Sequence, residues 1–595
     1  MTTTKEIDLS ARTETVITAG LRPDLFAGRG VLSANRTLLF VALAILIAAG
    51  FGFRITGLSA ESLGEDELNK QNAVADYRSN GLTGANGEHP MLMKALQAAS
   101  IIIAEKWNNT TFVASHPADY VAPESALRLP GAILGAIAGL LIYLIAAELF
   151  GSEVALIAAA LWTFDPNAIG FNRIAKEDTF LLFFFLLANV FWLRGQRVAE
   201  STDSNPTPYY WATAAAYGAM VASKYVPHLI TISICYYWMF QKLPETRWRL
   251  GPKRILKFFI IVGIVFLILS PTILLPETWH QMGLFAGSKR VSHDGYEFMN
   301  KLYTQRFTDW LRGIPVYFYF MFTAVKLPLL SLLGFLVGLP LLFRRKLGDG
   351  RYFILFWFLM WVVAFCFPGG KFTRYYTTIL PAVLITSALG IQRAGRWLAE
   401  RVATAGWIGF KHYVPACLAV IAITGSLLDS ALAAPHFRLF TNSLGGGMAH
   451  AGYYFPHDEF YDASMREVIA EIGHRARPGA IVASESQLLA SHYAQRHNRN
   501  DLVCISLSDP DALKQLTVGD FVIVARGRRY FSNDALISLL SASAKPDFQM
   551  FLGTVHSVDV FMLNEITLQT VQDAARQMHT VAKTNPPSPQ RATLN

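Results

Sequence analysis

Charge is scarce in this chain. Only 16% of its 595 residues are Asp, Glu, Lys or Arg, while 52% are hydrophobic. Soluble domains average about 25% charged residues, so an ordinary soluble enzyme is excluded. Cysteine is scarce too. Of the four cysteines, Cys235, Cys366 and Cys417 fall in apolar stretches and Cys504 lies far from them, a pattern that suggests neither a disulfide framework nor a zinc site. The first 30 residues lack an apolar centre, so no cleavable signal peptide is read there; residues 1–35 read as a disordered cytoplasmic tail. No internal repeat is visible. The net charge is +9, but the basic residues are scattered among loops. That excludes nucleic acid as a partner and fits cytoplasmic loops beside anionic lipid.

What the chain has in place of charge is long apolar runs. The first covers about 37–57, enough to cross about 30 Å of hydrocarbon. Others lie near 129–149, 153–170, 179–193, 209–223, 226–241, 255–275, 325–343, 352–367, 375–391 and 412–432. The predicted fold class is mainly α: a polytopic membrane protein of about eleven transmembrane helices. The loops this threading puts in the cytoplasm carry Arg194 and Arg197, Lys242 to Arg254, Arg344 to Lys346, and Arg393 to Arg401, in line with the excess of Lys and Arg on that side. Two loops run against it: Glu148 to Glu153, acidic but placed inside, and 276–312, basic but placed outside.

From about 435 short β-branched runs, Ile481 to Ser484, Leu502 to Ile505, Phe521 to Val524 and Val558 to Met562, alternate with helical patterns. This predicts a small α/β domain outside the cytoplasm. The expected domains are the tail 1–35, a membrane domain 36–434 with an external loop at 58–128, the α/β domain 435–570, and a disordered tail 571–595. Within the external loop, 66–79 and 90–105 read as interfacial helices. Gly445-Gly446-Gly447, followed by Tyr453-Tyr454, His457-Asp458-Glu459 and Tyr461, read as a flexible connection into this domain, with substrate contact as the lesser alternative.

Four groups of ionisable residues fall on one face, the external one: Asp66 and Glu67 with Glu88 and His89; Arg173 with Lys176, Glu177 and Asp178; Lys224 with Tyr225; and Lys371 with Arg374 and Tyr375. Ionisable groups at membrane depth are costly, so they usually pair and mark function. Structural roles stand beside that reading. Glu177 and Asp178 are placed to favour a helix N-terminus, Lys224 and Arg374 to snorkel, and His89 to stiffen the turn before Pro90. The chemistry that uses such a mixture is glycosyl transfer from a lipid-phosphate sugar. Cations hold the charge growing on the phosphate, a carboxylate takes the proton of the acceptor hydroxyl, and negative charge steadies an oxocarbenium-like sugar.

Asp66-Glu67 in the first external loop, His89-Pro90 with Lys94, Arg128-Leu129-Pro130, Arg173 with Asp178 five residues on, Lys224-Tyr225, and Arg374-Tyr375 with Pro381 together resemble the C-type membrane glycosyltransferases. The resemblance is to the protein O-mannosyltransferase family and the related aminoarabinose transferases, over roughly residues 35–435. It implies a polyprenyl-phosphate donor, often of mannose, inversion at the anomeric carbon, and a base at Asp66 first and Glu67 second. It places the second acidic position at Asp178 and the phosphate site at Lys224 and Arg374. Glu177, His89, Arg173, Tyr225 and Tyr375 complete the expected substrate contacts, with Arg290 or Arg306 as helpers. A divalent cation between Asp66 and Asp178 would suit magnesium or manganese, but the relatives nearest in motif work without one and no cofactor is expected. The expected partners are the lipid-linked donor, a protein or lipid acceptor, and membrane lipid. The family's external β-trefoil finds no counterpart here, and the α/β domain is not in the eukaryotic pattern. Transfer to a lipid or polysaccharide, and transport of a lipid-linked sugar, are the alternatives.

Overall fold

A computed structural model describes residues 36–201, 205–240, 252–288 and 293–584. Four helices are long and apolar enough to cross a membrane: Thr37–Ile55, Pro123–Phe150, Glu177–Ala199 and Val414–Ala433. The pair Ser152–Phe164 and Pro166–Asn172, bent by 60°, makes a fifth if taken as one span. These helices mark an integral membrane protein. The expectation of about eleven spans is thus corrected to four or five among the described residues. The other apolar stretches do form helices, but each is short, broken or charged. Thr207–Ser223 has 17 residues, Ile230–Phe240 has 11 and Gly350–Phe365 has 16. Leu329–Gly338 starts after Pro328 and gives way to a 3-10 turn holding Pro340. Pro252–Leu269 opens on Lys253, Arg254 and Lys257, and Leu380–Thr404 carries Arg393, Arg396, Glu400 and Arg401.

Small residues let these helices close on one another. Gly334 and Gly338, spaced as G-x-x-x-G, face Gly390. A Cβ added at Gly338 would lie 1.9 Å from the Thr386 carbonyl oxygen, and one at Gly390 would lie 1.8 Å from that of Gly334. Such close backbone approach is how helices associate without a hydrophobic drive. The acidic loop that ran against the charge pattern is neutralised locally: Glu148 pairs with Arg197 at 3.1 Å and Glu153 with Arg396 at 2.9 Å.

The chain leaves the first span into two helices, Glu65–Asn80 and Met91–Asn108. Farther on, β1 (Tyr296–Phe298) and β2 (Lys301–Tyr303) form an antiparallel hairpin. The C-terminal unit holds β3 (Ile481–Ala483), β4 (Val503–Ile505), β5 (Phe521–Ala525), β6 (Phe548–Leu552) and β7 (Val555–Met562). The sheet order is β4-β3-β5-β7-β6. Strand β3 runs parallel to β4 and β5, while β7 is antiparallel to β5 and β6. Alternation along β5 buries both faces. Phe521 and Ile523 pack under Val468, Ile472 and Tyr493, and Val522 and Val524 pack with Leu536, Leu540 and Val571. The first of these two cores continues into Leu63, Leu68, Leu127 and Ala175. The C-terminal unit therefore shares its apolar interior with the loop that carries the acidic motif.

Two boundaries differ from the sequence reading. The last helix, Glu565–Thr584, extends into the stretch read as a disordered tail because Val571, Ala574 and Ala575 are fully buried against the sheet. The segment read as a flexible connection is ordered, with Phe455 through Met465 buried. The expectation for residues 1–35 lies outside the described residues.

Candidate active site

The motif Gly64-Glu65-Asp66-Glu67 starts a helix, and that fixes what each acid can do. Three carboxylates in a first turn are favoured by the helix dipole. Successive residues point about 100° apart around the axis, so the three meet different surroundings. Glu65 meets Arg528 at 3.1 Å, Asp66 meets Lys176 at 2.6 Å, and Glu67 meets Arg128 at 2.6 Å.

Glu67 is fully buried and fully bonded. One oxygen accepts from Arg128 Nε at 2.9 Å and Ala175 N at 2.8 Å; the other accepts from Arg128 Nη2 at 2.6 Å and Gly64 N at 2.8 Å. A carboxylate offers about four lone-pair sites, and all are taken. The expectation that Glu67 is a second candidate base is corrected: it is the pin that holds the loop to Arg128.

Asp66 is different. Its side chain keeps 36% of its surface exposed. Its Oδ2 faces Lys176 at 2.6 Å, accepts from the Tyr461 hydroxyl at 3.2 Å, and lies 3.8 Å from Arg374. Burial would raise this carboxyl, but Lys176, Arg374 and Lys70 overcome it and hold the group well below the usual carboxylate range. It is ionised at neutral pH and open to an incoming molecule.

Behind Asp66, Glu177 is buried against Lys70 at 3.0 Å and His89 Nδ1 at 3.2 Å. Burial, with Lys70 and Lys176 close by, keeps the His89 imidazole well below its ordinary range, so it is neutral. Beside them, Asp178 pairs with Lys224 at 2.6 Å, and the Lys224 ammonium lies 4.7 Å from the centre of the Tyr375 ring. Arg374 stands in the middle. Asp66, Asp178 and Asp458 surround it at 3.8, 3.9 and 3.7 Å, all beyond hydrogen-bond reach. Its Nη1 and the Asp178 Oδ2 are buried with no hydrogen-bond partner among the described residues. Its guanidinium rests on Phe372, 3.8 Å from the ring centre. Orphaned buried donors call for an explanation, and a planar cation with unused N–H groups is what a phosphate oxygen needs.

Other expected residues are placed elsewhere. Arg173 is corrected: its guanidinium donates to the carbonyls of Phe53, Arg54, Thr56 and Gly57 at 2.6–3.2 Å, so it closes the C-terminal end of the first span. Lys371 Nζ bonds the Ile314 carbonyl at 2.8 Å and that of Pro368. Lys94 holds the carbonyls of Ala85, Asn86 and His89, and burial brings its ammonium down to about 7. The Tyr225 ring packs edge-on against Phe266 at 6.2 Å. Arg306 is exposed, and Arg290 lies outside the described residues. Among the described residues no group of three His, Cys, Asp or Glu converges as a metal site would require.

Lys70 escaped the sequence reading, Lys176 was noticed without a role, and Asp458 and Tyr461 were read first as part of a flexible connection and only second as substrate contacts. Lys70 had a signal, since it stands four residues after Asp66 on the same helical face. For Tyr461 and Asp458 the sequence could not name the partner, because 395 residues separate Tyr461 from the carboxylate it touches. Gly64 is explained by the same contact. Its φ of −83° suits any residue, but an added Cβ would lie 2.3 Å from the Tyr461 ring. Gly64→Ala is expected to lower stability by about 1–3 kcal/mol, read as a reduced midpoint of thermal unfolding; an unchanged midpoint would show that the ring yields freely.

Residues 39–282 match the family described as dolichyl-phosphate-mannose-protein mannosyltransferase. Among solved structures, the archaeal oligosaccharyltransferase AglB from Archaeoglobus fulgidus, in complex with an inhibitory peptide and a dolichol-phosphate, is 12% identical with a TM-score of 0.50. The match covers 83% of this chain and 70% of that one. The chain has the C-type membrane glycosyltransferase fold. ArnT from Cupriavidus metallidurans in the apo state is 13% identical with a TM-score of 0.48, covering 91% of this chain and 99% of that one. The S. cerevisiae protein O-mannosyltransferase Pmt1-Pmt2 complex, bound to the sugar donor, is 18% identical with a TM-score of 0.32, covering 44% and 36%. No curated protein sequence matches the chain. Within this C-type fold, the matched region carries Asp66, Lys176, Glu177, Asp178 and Lys224, while Arg374, Asp458 and Tyr461 lie beyond it.

Proposed function

We propose that the protein is an integral-membrane glycosyltransferase that moves a hexose, mannose in our reading, from a polyprenyl-phosphate donor to an acceptor hydroxyl. The acceptor we favour is a protein Ser or Thr on the external face of the membrane, and the anomeric carbon is inverted. The matched family is described by a dolichyl-phosphate-mannose donor and a protein acceptor, and the AglB structure of the same fold holds a dolichol-phosphate and a peptide. The observation that carries the reading is the Arg374 guanidinium, buried among three carboxylates with an N–H group unused, 3.8 Å from a partly exposed Asp66.

In this mechanism the donor phosphate takes the free N–H of Arg374 and draws Lys224 from Asp178. Lys176 leaves Asp66; Glu177, 3.9 Å from its ammonium, is the waiting partner. Asp66 then accepts the acceptor's proton as the acceptor oxygen bonds to the anomeric carbon. The bond from that carbon to the phosphate oxygen breaks, and the phosphate leaves with the electron pair, its charge held by the cations. Asp178, freed from Lys224, faces the positive charge on the sugar.

Arg374→Lys keeps the charge but loses the planar fork. It is expected to lower kcat/KM for a polyprenyl-phosphate hexose about 10–100-fold, with most of the loss in donor affinity. Unchanged kcat/KM, measured with purified protein and a panel of polyprenyl-phosphate sugars, would remove the phosphate from this site.

A further inference from the structure

Residues 461–465 pack directly against the acidic motif and the residues just before it. The Tyr461 hydroxyl donates to Asp66, its ring lies against Gly64, and the Arg438 guanidinium sits 5.1 Å from the ring centre. The next residue is anchored harder. Asp462 accepts from Arg528 Nε at 2.7 Å, Ser486 Oγ at 2.8 Å and Glu65 N at 3.2 Å, and its carbonyl accepts from Ser62 Oγ. Ser62 N also donates to Ala463 O at 2.9 Å, and Met465 N to Ser62 Oγ at 3.0 Å. Arg528 meanwhile reaches back to Glu65 at 3.1 Å and to His293 at 3.0 Å. Tyr461 and Asp462 both adopt left-handed backbone, with φ of +47° and +59°. For tyrosine that conformation is unfavourable, and it persists only where the surroundings over-determine it. Here they do, and what they over-determine is the direction of one phenol.

We propose that Tyr461 is a positioning residue for the transfer reaction: the C-terminal unit supplies it, and its hydroxyl fixes the Asp66 carboxylate in the orientation that meets the acceptor hydroxyl. The inference rests on the reading of Asp66 as the base. It assigns the C-terminal unit a part in the reaction itself. The phenol is suited to the task, because burial and the adjacent Asp66 raise it well above its ordinary range, so it remains a donor. The charged and titratable groups around Asp66 are Lys70 on its own helix, Lys176 from the turn before Glu177, Arg374 with Tyr375 from the later turn, and Tyr461. Glu65 and His89 stand next to these. Of all of them Tyr461 alone is a neutral donor bonded to Asp66, so it orients the carboxylate without a charge to be displaced when the phosphate arrives.

Tyr461→Phe keeps the ring against Gly64 and under Arg438, and removes only the hydroxyl. With a polyprenyl-phosphate hexose, kcat is expected to fall about tenfold at unchanged donor KM. The acidic limb of the kcat/KM profile is expected to move up by about one pH unit, because the ionised carboxylate loses a donor that favours it. Thermal unfolding should be unchanged. Carbodiimide labelling of Asp66, followed by mass spectrometry across pH, should persist to correspondingly higher pH. Wild-type kcat with an unmoved limb overturns the proposal, as does a raised donor KM at unchanged kcat. If the wild-type enzyme transfers from no polyprenyl-phosphate sugar, the transferase reading fails by itself. The labelling profile then decides the contact: a shifted profile upholds it and an unshifted one overturns it.

Discussion

Asp66→Asn is expected to bind a polyprenyl-phosphate hexose as well as the parent and to transfer the sugar about 10²–10⁴-fold more slowly, the usual contribution of a positioned general base. The split between binding and turnover follows from the surroundings. Asn fills the same space, keeps an acceptor for Lys176 and Tyr461, and removes a negative charge 3.8 Å from Arg374. Phosphate affinity therefore has no reason to fall. The Asn amide, however, cannot take the acceptor's proton, so the loss lies in kcat. Single-turnover transfer in lipid nanodiscs, run beside a donor-binding measurement, separates the two quantities. Full single-turnover rate would show that another group is the base.

The neighbouring substitution should fail in the opposite way. Glu67→Gln is expected to lose about 3–5 kcal/mol of stability before any effect on chemistry can be read. Arg128 is buried, and among the described residues its hydrogen bonds besides those to Glu67 go to backbone carbonyls, those of Leu58, Glu61 and Ser62. Without Glu67 its nearest compensating charge is gone. The check is the thermal midpoint of purified protein. A Glu67→Gln protein as stable as the parent but inactive would make Glu67 the base and overturn the assignment of roles within the acidic pair.

That contrast marks the limit of what sequence could say about the site. The acidic motif, the Lys176-Glu177-Asp178 turn, Lys224 and Arg374 were visible as charges stranded beside apolar runs, and the structure brings them within a few ångströms. The division of labour between Asp66 and Glu67 was not visible. It depends on one step of rotation around a helix and on an arginine 61 residues away. Arg173 misled for a related reason. An arginine between two spans looks like a ligand-binding cation, and only coordinates show that its N–H groups end on helix carbonyls. The span count failed on length. Apolar composition was evident in Gly350–Phe365 and Leu329–Gly338, but where such helices stop depends on Pro328, Pro340 and tertiary contacts. In the C-terminal unit the β-branched strands stood out, whereas β6, with the sequence Phe-Gln-Met-Phe-Leu, lacks the β-branched residues that mark a strand.

The shared interior between the C-terminal sheet and the acidic loop has a consequence for how the enzyme is made. Its carboxylate is translated near the start of the chain, its guanidinium past the middle, and its phenol more than three-quarters of the way along. A nascent chain must hold the early helix for the whole time the ribosome takes to deliver the rest, and long-range closure of that kind is slow. Until the last strands dock, Leu63 and Leu68 lack the apolar surface of Phe521, Ile523, Val558 and Val560 that completes their cluster, so the acidic loop waits on the end of the chain for its support.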